Sequence, residues 1–393
     1  MKNLKTTLYI LSFFIFFSCE EEKHEPYFAG ETPNPVMDYS VKNLPGAAEI
    51  TFNLTDKRTA YVKAVYTVEQ SRKREAKASK YDNKLIVHGF ADSKEYSIAL
   101  YAIGTGDQES EPVHITVHPE TPPYKKVLQD LDISPDYGGG KILGTNITRA
   151  KLLIGVVMKD PNTKEWVDVD VFYTEGQTFD FNFRDQKPIE TEFGFYTRDQ
   201  WHNYSDTLRL TFEPWEEIKL PLTHNNFNQI VLSGDAVGRA GYGLSRLFDG
   251  ARLSWADGFY SVDGTTFPAT ITIDLQDTYQ LSRFRYWQNY NLYYQSANAK
   301  HIRIWGQTEL NTDLSTWYLL GEWDNWRPSG LPPNGNEGLT VEDIEAAEKG
   351  NDFDFPRDSR EVRYIRIEAV STWEPRKSVY YPELEFWGRR IRD

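Results

Sequence analysis

The chain has 393 residues, with 58 acidic against 44 basic side chains for a formal net charge of −14, and 15% of its residues are aromatic. That balance argues against nucleic acid as a partner, because phosphates need a basic face, and it suits a solvent-exposed protein. Cys19 is the single cysteine, which excludes an intrachain disulfide, and the length allows two to four domains of roughly 100–200 residues each.

Residues 1–19 read as a targeting segment. Lys2 and Lys5 supply a short positive region, residues 8–17 are apolar apart from Ser12, and Ser18 precedes Cys19. The apolar run is shorter than the roughly 20 residues that a transmembrane helix needs. A lone Cys behind an apolar run and a small residue resembles a bacterial lipobox, with Phe16 standing where Leu is usual. The resemblance implies lipidation of Cys19 and a membrane contact made by that anchor alone. Glu20, Glu21 and Glu22 follow at once. Such an acidic cluster resembles the surface-export signal of Bacteroidetes lipoproteins, and its plainer reading is a solvated, extended tether. Processing ahead of Cys19 leaves 58 acidic and 42 basic residues, a net charge of −16.

Residues 20–35 are polar and contain Pro26, Pro33 and Pro35, which predicts a semi-extended tether. From 36 to 119 apolar positions alternate: Ile50, Phe52 and Leu54; Val62, Ala64, Tyr66 and Val68; Tyr96, Ile98, Leu100 and Ala102. A period of two marks strands with one buried face, and Asn43-Leu44-Pro45-Gly46 supplies a turn. Phe90 followed by Tyr96 resembles the tyrosine corner of a fibronectin type III sandwich, in which a Tyr hydroxyl bonds back to the backbone. Arg72-Lys73-Arg74 reads as a solvated hairpin rim.

Glu120-Thr121-Pro122-Pro123 is a natural boundary. Residues 120–222 carry a second set of strands, at 151–158, 166–173, 178–183, 192–196 and 208–212, and predict an immunoglobulin-like sandwich. The glycine-rich stretch Asp136-Tyr137-Gly138-Gly139-Gly140-Lys141 lacks the spacing and the Lys-Ser/Thr ending of a phosphate loop, so it reads as a bend into the next strand.

Residues 223–393 form the third segment. Ile271, Ile273 and Leu275, then Ile302 and Ile304, then Ile365 and Ile367 again alternate. One helix is expected at 341–349, where Thr340 caps, Asp343 sits three residues on and Gly350 stops it. It lies in a long insertion, 323–360, and an insertion of that length in a compact domain usually has a use.

Phe248-Asp249-Gly250, Ser254-Trp255, the strands around Ile273 and Ile365, and Glu383-Leu384-Glu385-Phe386-Trp387-Gly388 resemble the discoidin, or coagulation-factor type C, fold that family 32 carbohydrate-binding modules share. The fold class expected is therefore all-β, with three consecutive β-sandwich domains (36–119 fibronectin type III-like, 120–222 immunoglobulin-like, 223–393 a discoidin-like jelly roll). The whole layout is similar to Bacteroidetes surface lipoproteins found beside starch-utilisation-type outer-membrane glycan importers. That resemblance implies glycan capture at the cell surface, with a glycan as ligand and importer components as partners.

Two sites follow from the resemblance. In many discoidin-like modules the Asp-Gly loop and the first Glu of the closing strand hold a structural calcium, which by position implies Asp249, Ser254 and Glu383. Ala251 stands where a second acidic ligand is common, and the alternative is that Asp249 caps its own turn. The second site is a ligand face made by loops at one end of the sandwich. Sugars stack apolar faces on aromatic rings and need polar partners for their hydroxyls. That implicates Trp287, Tyr290, Tyr293 and Tyr294, then Trp323 and Trp326, then Trp373, Arg376 and Tyr380. Trp255, Trp305 and Trp387 read as core or support.

The seven histidines are scattered, and neither a His-Glu-x-x-His nor a Gly-x-Ser-x-Gly motif occurs. Three sandwiches use up the chain and leave no room for a catalytic barrel. The expectation is a binding protein rather than an enzyme, and surface adhesion through a protein partner is the alternative to glycan capture.

Overall fold

The structure is a computed structural model and describes residues 30–226, 228–254, 256–331 and 338–391. Cys19 with its signal segment, the tether up to residue 29 and Trp255 lie outside the described residues. The chain separates into two compact units, one ending at Lys126 and one beginning at Val127. The expected all-β class is what the chain forms: antiparallel sheets account for nearly all of its regular structure.

In the first unit, Tyr39–Leu44, Ala47–Phe52 and Lys84–His88 make one sheet, and Lys73–Ser79, Thr59–Thr67, Tyr96–Gly104 and Val113–Val117 make the other. The alternating residues do what their period requires: Ile50, Val62, Ala64, Ile98 and Leu100 are fully buried between the sheets. The hydroxyl-to-backbone bond expected of Tyr96 is held by another residue. Tyr66 donates to the His88 carbonyl at 3.1 Å and accepts from the His88 amide at 3.2 Å. Tyr96 approaches the Asp92 backbone four residues upstream without a well-formed bond.

The second unit holds two sandwiches. The first has a four-stranded sheet, Trp166–Thr174, Leu152–Lys159, Thr191–Asp199 and Leu208–Phe212, over a three-stranded one, Thr178–Phe183, Gly139–Thr145 and Asp132–Asp136. Phe193 and Phe195 meet Phe183 between them, with Phe183 and Phe193 ring centroids 5.2 Å apart. Each such side chain, fully buried, contributes roughly 1.5–3 kcal/mol. The glycine-rich stretch is the expected bend. Gly138 takes φ +65°, and a Cβ on Gly139 would sit 2.0 Å from the Phe183 carbonyl oxygen, so only glycine lets the two strands close up.

The C-terminal sandwich is organised by one long strand, Ala269–Tyr286. It pairs with Val362–Thr372 along its first half and with Leu384–Arg390 along its second, shifting register between Asp274 and Tyr279. One strand thus serves both layers, and Ile271, Ile273, Leu281 and Phe284 are fully buried in the core between them. Ala299–Gln307 and Tyr318–Asp324 extend the sheet. Strand Ile218–Lys219, on the near side of the boundary expected at 222, is bonded to Leu384–Arg390 and belongs to this layer. Helix Val341–Lys349 forms where expected, with a reciprocal capping box between Thr340 and Asp343 and with Gly350 at φ +83°.

Buried charge joins these two sandwiches. Glu217 accepts from Arg184 at 2.9 Å, Arg283 at 3.1 Å and Ser282 at 2.5 Å, while Arg357 donates to Ser134 at 3.2 Å and lies over the Trp215 ring. Removing one partner would leave the other charges buried and unpaired, so this contact resists hinging.

Candidate functional site

At one end of the C-terminal sandwich, chain segments that are distant in sequence close around a cavity of about 160 Å³. The pairing of Phe259–Tyr260 with Tyr380–Tyr381 brings two of its walls together. Tyr242, Tyr260 and Tyr380 form a chain of edge-to-face rings, with centroids 6.3 Å apart for the first pair and 5.2 Å for the second. The Arg239 guanidinium lies 3.9 Å from the Tyr260 ring centroid. It is held there by bonds to the Ser261 carbonyl at 3.1 Å and to Asp263 at 2.5 Å. Asn289, Ser296 and Asn298 line the opposite side.

The asparagines play different parts. Asn298 is spent on structure, donating to the carbonyls of Leu292 and Gln295 and accepting from the Asn289 amide at 2.8 Å. Asn289 keeps its side-chain oxygen buried and without a partner. An unsatisfied buried acceptor costs about 1–3 kcal/mol, and this oxygen lies beneath the cavity surface rather than on it. The cavity therefore offers tyrosine rings, a fixed guanidinium and the polar Ser296 and asparagine side chains, the kinds of group a small polyhydroxylated ligand needs. It is smaller than the roughly 300–1,000 Å³ of a drug-sized site, so it suits one ring-sized group.

Of the nine residues expected on the ligand face, Tyr380 alone lines this cavity, although the loops at 287–298 and 373–380 both contribute to its surroundings. Three of the others, Trp287, Tyr293 and Tyr294, are covered by the insertion and are corrected to interior positions, and a fourth, Trp323, is half-buried. Trp287 is 4% exposed, donates its indole N–H to the Glu348 carbonyl at 3.1 Å and lies beneath Gly350. Tyr293 and Tyr294 pack with Ala347 of the helix, and Tyr294 donates to the Asp343 carbonyl at 3.2 Å. Trp323 packs on Phe284, Phe353 and Phe355 and donates to the Asp354 carbonyl. Trp373 and Tyr290 are half-buried against the same cluster, and the Trp373 indole N–H is buried without a partner. Arg376 is exposed and paired with Glu374. Trp326 stands 66% exposed at the base of the insertion.

Asp343 makes that cover rigid. Fully buried, its carboxylate accepts from Arg327 at 2.7 Å, from the Ser329 amide and hydroxyl at 2.9 Å each, and from the Thr340 amide at 3.0 Å. Burial by itself raises the Asp343 carboxyl, but these donors outweigh it and hold it well below the usual range.

The residues implied for calcium divide. Asp249 and Glu383 come together: the Gly250 amide donates to Glu383 at 3.2 Å, and burial, then the Asp249 charge, push Glu383 up to about 8. Asp249 also accepts from the Ala251 amide at 2.8 Å, the self-capped turn that was the alternative. Ser254 is engaged in its own turn, accepting from Ala256 at 3.2 Å and donating its amide to Asp257 at 2.9 Å. By charge the carboxylate pair fits a cation. No third acidic, histidine or cysteine side chain joins it among the described residues, so a hard cation there would draw on carbonyls and water.

Three family models match in tandem, each described as a domain of unknown function: DUF4959 over residues 33–119, DUF5126 over 120–223 and DUF5000 over 248–388. None of the curated proteins matches. Among solved structures, a SusE-like protein shares 30% identity over 69% of this chain and 100% of its own, with a TM-score of 0.43. The chain belongs to the SusE-like family. Similarity extends more distantly to GH31 CBM32-2 solved bound to GalNAc, with 19% identity over 42% of this chain and 99% of that one, TM-score 0.29. It extends also to a fucolectin from striped bass serum, with 12% identity over 67% of this chain and 86% of that one, TM-score 0.29.

Sequence reasoning missed Arg239, Tyr242 and Tyr260 in this SusE-like chain. Their segment lacks a regular period, and only the non-local pairing with Tyr380–Tyr381 turns it into a wall. Gly241-Tyr242-Gly243, a tyrosine set between two glycines, was the available signal.

Proposed function

We propose that this protein captures glycans at the cell surface for an outer-membrane importer, as a non-catalytic, lipid-anchored subunit. The observation that carries the reading is the cavity between Tyr260, Tyr380 and Asn289, with its tyrosine rings and fixed Arg239 guanidinium. Beside Leu292 and Ala297, the lining groups are phenols, amides, a hydroxyl and one guanidinium, which hold hydroxyls rather than perform general acid and base chemistry. Membership of the SusE-like family and the lipobox resemblance at Cys19 support the surface setting. The size of the cavity favours a terminal or branch sugar. Asp249 and Glu383 hold a calcium ion that braces the adjoining loop, with carbonyl oxygens completing its shell.

Native gels cast with soluble polysaccharides test this reading on the chain from residue 20 onward. Retardation by at least one polysaccharide, lost in Tyr260→Ala and in Asn289→Ala with unchanged melting, is the expected result. Unaltered migration across a broad panel, together with a defined complex formed with a surface protein, would replace glycan capture by protein-mediated adhesion.

A further inference from the structure

The outward face of the four-stranded sheet in the middle sandwich carries aromatic rings that no core uses. Trp166 is 38% exposed, Tyr173 72% and Tyr204 56%. Alternation, reset by a bulge between Asp168 and Asp170, places Trp166 and Tyr173 on the face opposite Phe193 and Phe195, together with Tyr196 and Arg198. Two strand glycines make the floor. A Cβ on Gly155 would sit 2.2 Å from Cζ of Tyr196, and one on Gly194 would meet the Val157 and Thr207 methyls at 2.8 and 2.9 Å and Cζ3 of Trp166 at 3.1 Å. The Tyr196 ring therefore lies directly on backbone, where any side chain would lift it away, and the Trp166 ring edges over Gly194 beside Val157 and Thr207. Gly194 and Tyr196 are two residues apart, so the two ring positions fall about 7 Å apart along the strand.

Polar groups are set between the rings. The Arg198 guanidinium lies 5.7 Å from the Tyr204 ring and that of Arg209 lies 5.2 Å from the Trp166 ring. The lysines of the face are neutralised, Lys151 by Glu175 at 3.5 Å and Lys159 by Glu192 at 3.3 Å. A cleft of about 240 Å³ opens between Tyr173 and Arg198. Rings alternating with paired charges and fixed donors do not make the continuous apolar centre that a protein interface needs. The local charge balance selects neither a polyanion nor a polycation.

We propose that this face is a second glycan-binding site, which takes a run of neutral sugars along the strands, their apolar faces on Trp166, Tyr196 and Tyr204 and their hydroxyls on Arg198 and Arg209. The ligand class rests on the reading of the C-terminal cavity, but the site is separate from it. The cavity takes a single ring, whereas the open face takes a chain, so the two together hold one polymer at two points and gain from its connectivity.

The test uses the chain from residue 20 onward in native gels containing xyloglucan, galactomannan, glucomannan, mixed-linkage β-glucan, starch or yeast mannan, with chondroitin sulfate as the charged comparison. On a neutral polysaccharide that retards the wild type, Trp166→Ala with Tyr204→Ala is expected to weaken retardation at least about tenfold, as loss of one of two linked sites does. Trp166→Phe with Tyr204→Phe keeps the rings and is expected to retain it. Thermal melting of every variant shows that the sandwich stays folded. If the alanine pair leaves retardation unchanged while Tyr260→Ala abolishes it, this proposal is overturned and the cavity reading stands. If the alanine pair loses retardation while Tyr260→Ala does not, the face is the site and the cavity reading falls. Preferred retardation by chondroitin sulfate overturns the neutral-glycan assignment, and no retardation by any polymer overturns both readings.

Discussion

The middle and C-terminal sandwiches use the same side chains to opposite ends. In the C-terminal one, Trp287, Tyr293 and Tyr294 sit in loops and are covered by the helix or the insertion, and Trp323, near the end of a strand, is half-buried against Phe284, Phe353 and Phe355. Their polar atoms are taken by carbonyls of that cover, Trp287 by Glu348 and Tyr294 by Asp343. In the middle one, Trp166, Tyr173 and Tyr204 stand at the outward side of a sheet and stay in solvent. The difference teaches that an aromatic residue becomes available to a ligand through what lies above and below it. Residue type and loop position do not decide it. A second layer of chain turns a ring into core, while a glycine floor with open space above turns it into a platform.

The comparison is broken most severely at Asp343. Asp343→Ala strands a buried Arg327 guanidinium and frees the amides of Ser329 and Thr340. The expected loss is about 3–5 kcal/mol, the usual result of removing one partner of a buried ion pair. Denaturant unfolding reads it. A loss under about 1 kcal/mol would mean that the insertion does not depend on this carboxylate, and the rings beneath would lack the rigid cover described here.

The calcium site proposed at Asp249 and Glu383 gives the next test, on the C-terminal sandwich alone. At a concentration a hundredfold above its dissociation constant, calcium is expected to stabilise the fold by about 2.7 kcal/mol. The rise in melting temperature should vanish in Glu383→Gln, which keeps the shape of the side chain and removes its charge. An identical rise in that variant would place the ion elsewhere.

Gly155→Val raises the floor beneath Tyr196 in the middle sandwich. Overpacking of this kind costs about 1–3 kcal/mol, and the displaced ring should cost glycan retardation as well. If the variant melts lower but binds as before, Tyr196 is packing and not platform.

Much of the architecture could be read from the chain. Alternation at Val62 and Ala64 or at Ile271 and Ile273 declares a buried face, because the strand period forces it. Thr340, Asp343 and Gly350 bound the helix through local hydrogen bonds that need no distant partner. The site was less legible for a physical reason. Tyr380 was foreseen, but Tyr242 and Tyr260 meet it only through pairing across more than a hundred residues, and no local pattern encodes that register. Cover is non-local in the same way: nothing near Trp287 announces that Gly350 and Glu348 will lie on it. The glycines at 155 and 194, isolated within strand patterns, were a local signal of close approach, and they mark the face that the aromatic loops drew attention away from.

The smallest expected effect concerns the point where the insertion leaves the sheet. His301 stands between Asp324 at 2.7 Å and Glu322 at 2.5 Å, and Arg303 shares Glu322 at 3.2 Å. The Asp324 bond, against a smaller opposing effect of burial and with help from Glu322, raises the imidazole above its ordinary value. A group whose folded value is raised adds stability that is complete below its unfolded value, about 6.5, and is lost as pH rises through the folded value. The groups are largely in solvent, so the contribution stays under about 1 kcal/mol. Melting measured from pH 5.5 to 8.5 should show a decline in the wild type that is shallower in His301→Gln. Because Asp324 opens the insertion, the same pH rise should increase amide exchange in the segment covering Tyr294 more than in the strands beneath Tyr196. Equal increases in both would mean that the cover is not tied down at His301, and that Asp343 alone separates the buried rings from the exposed ones.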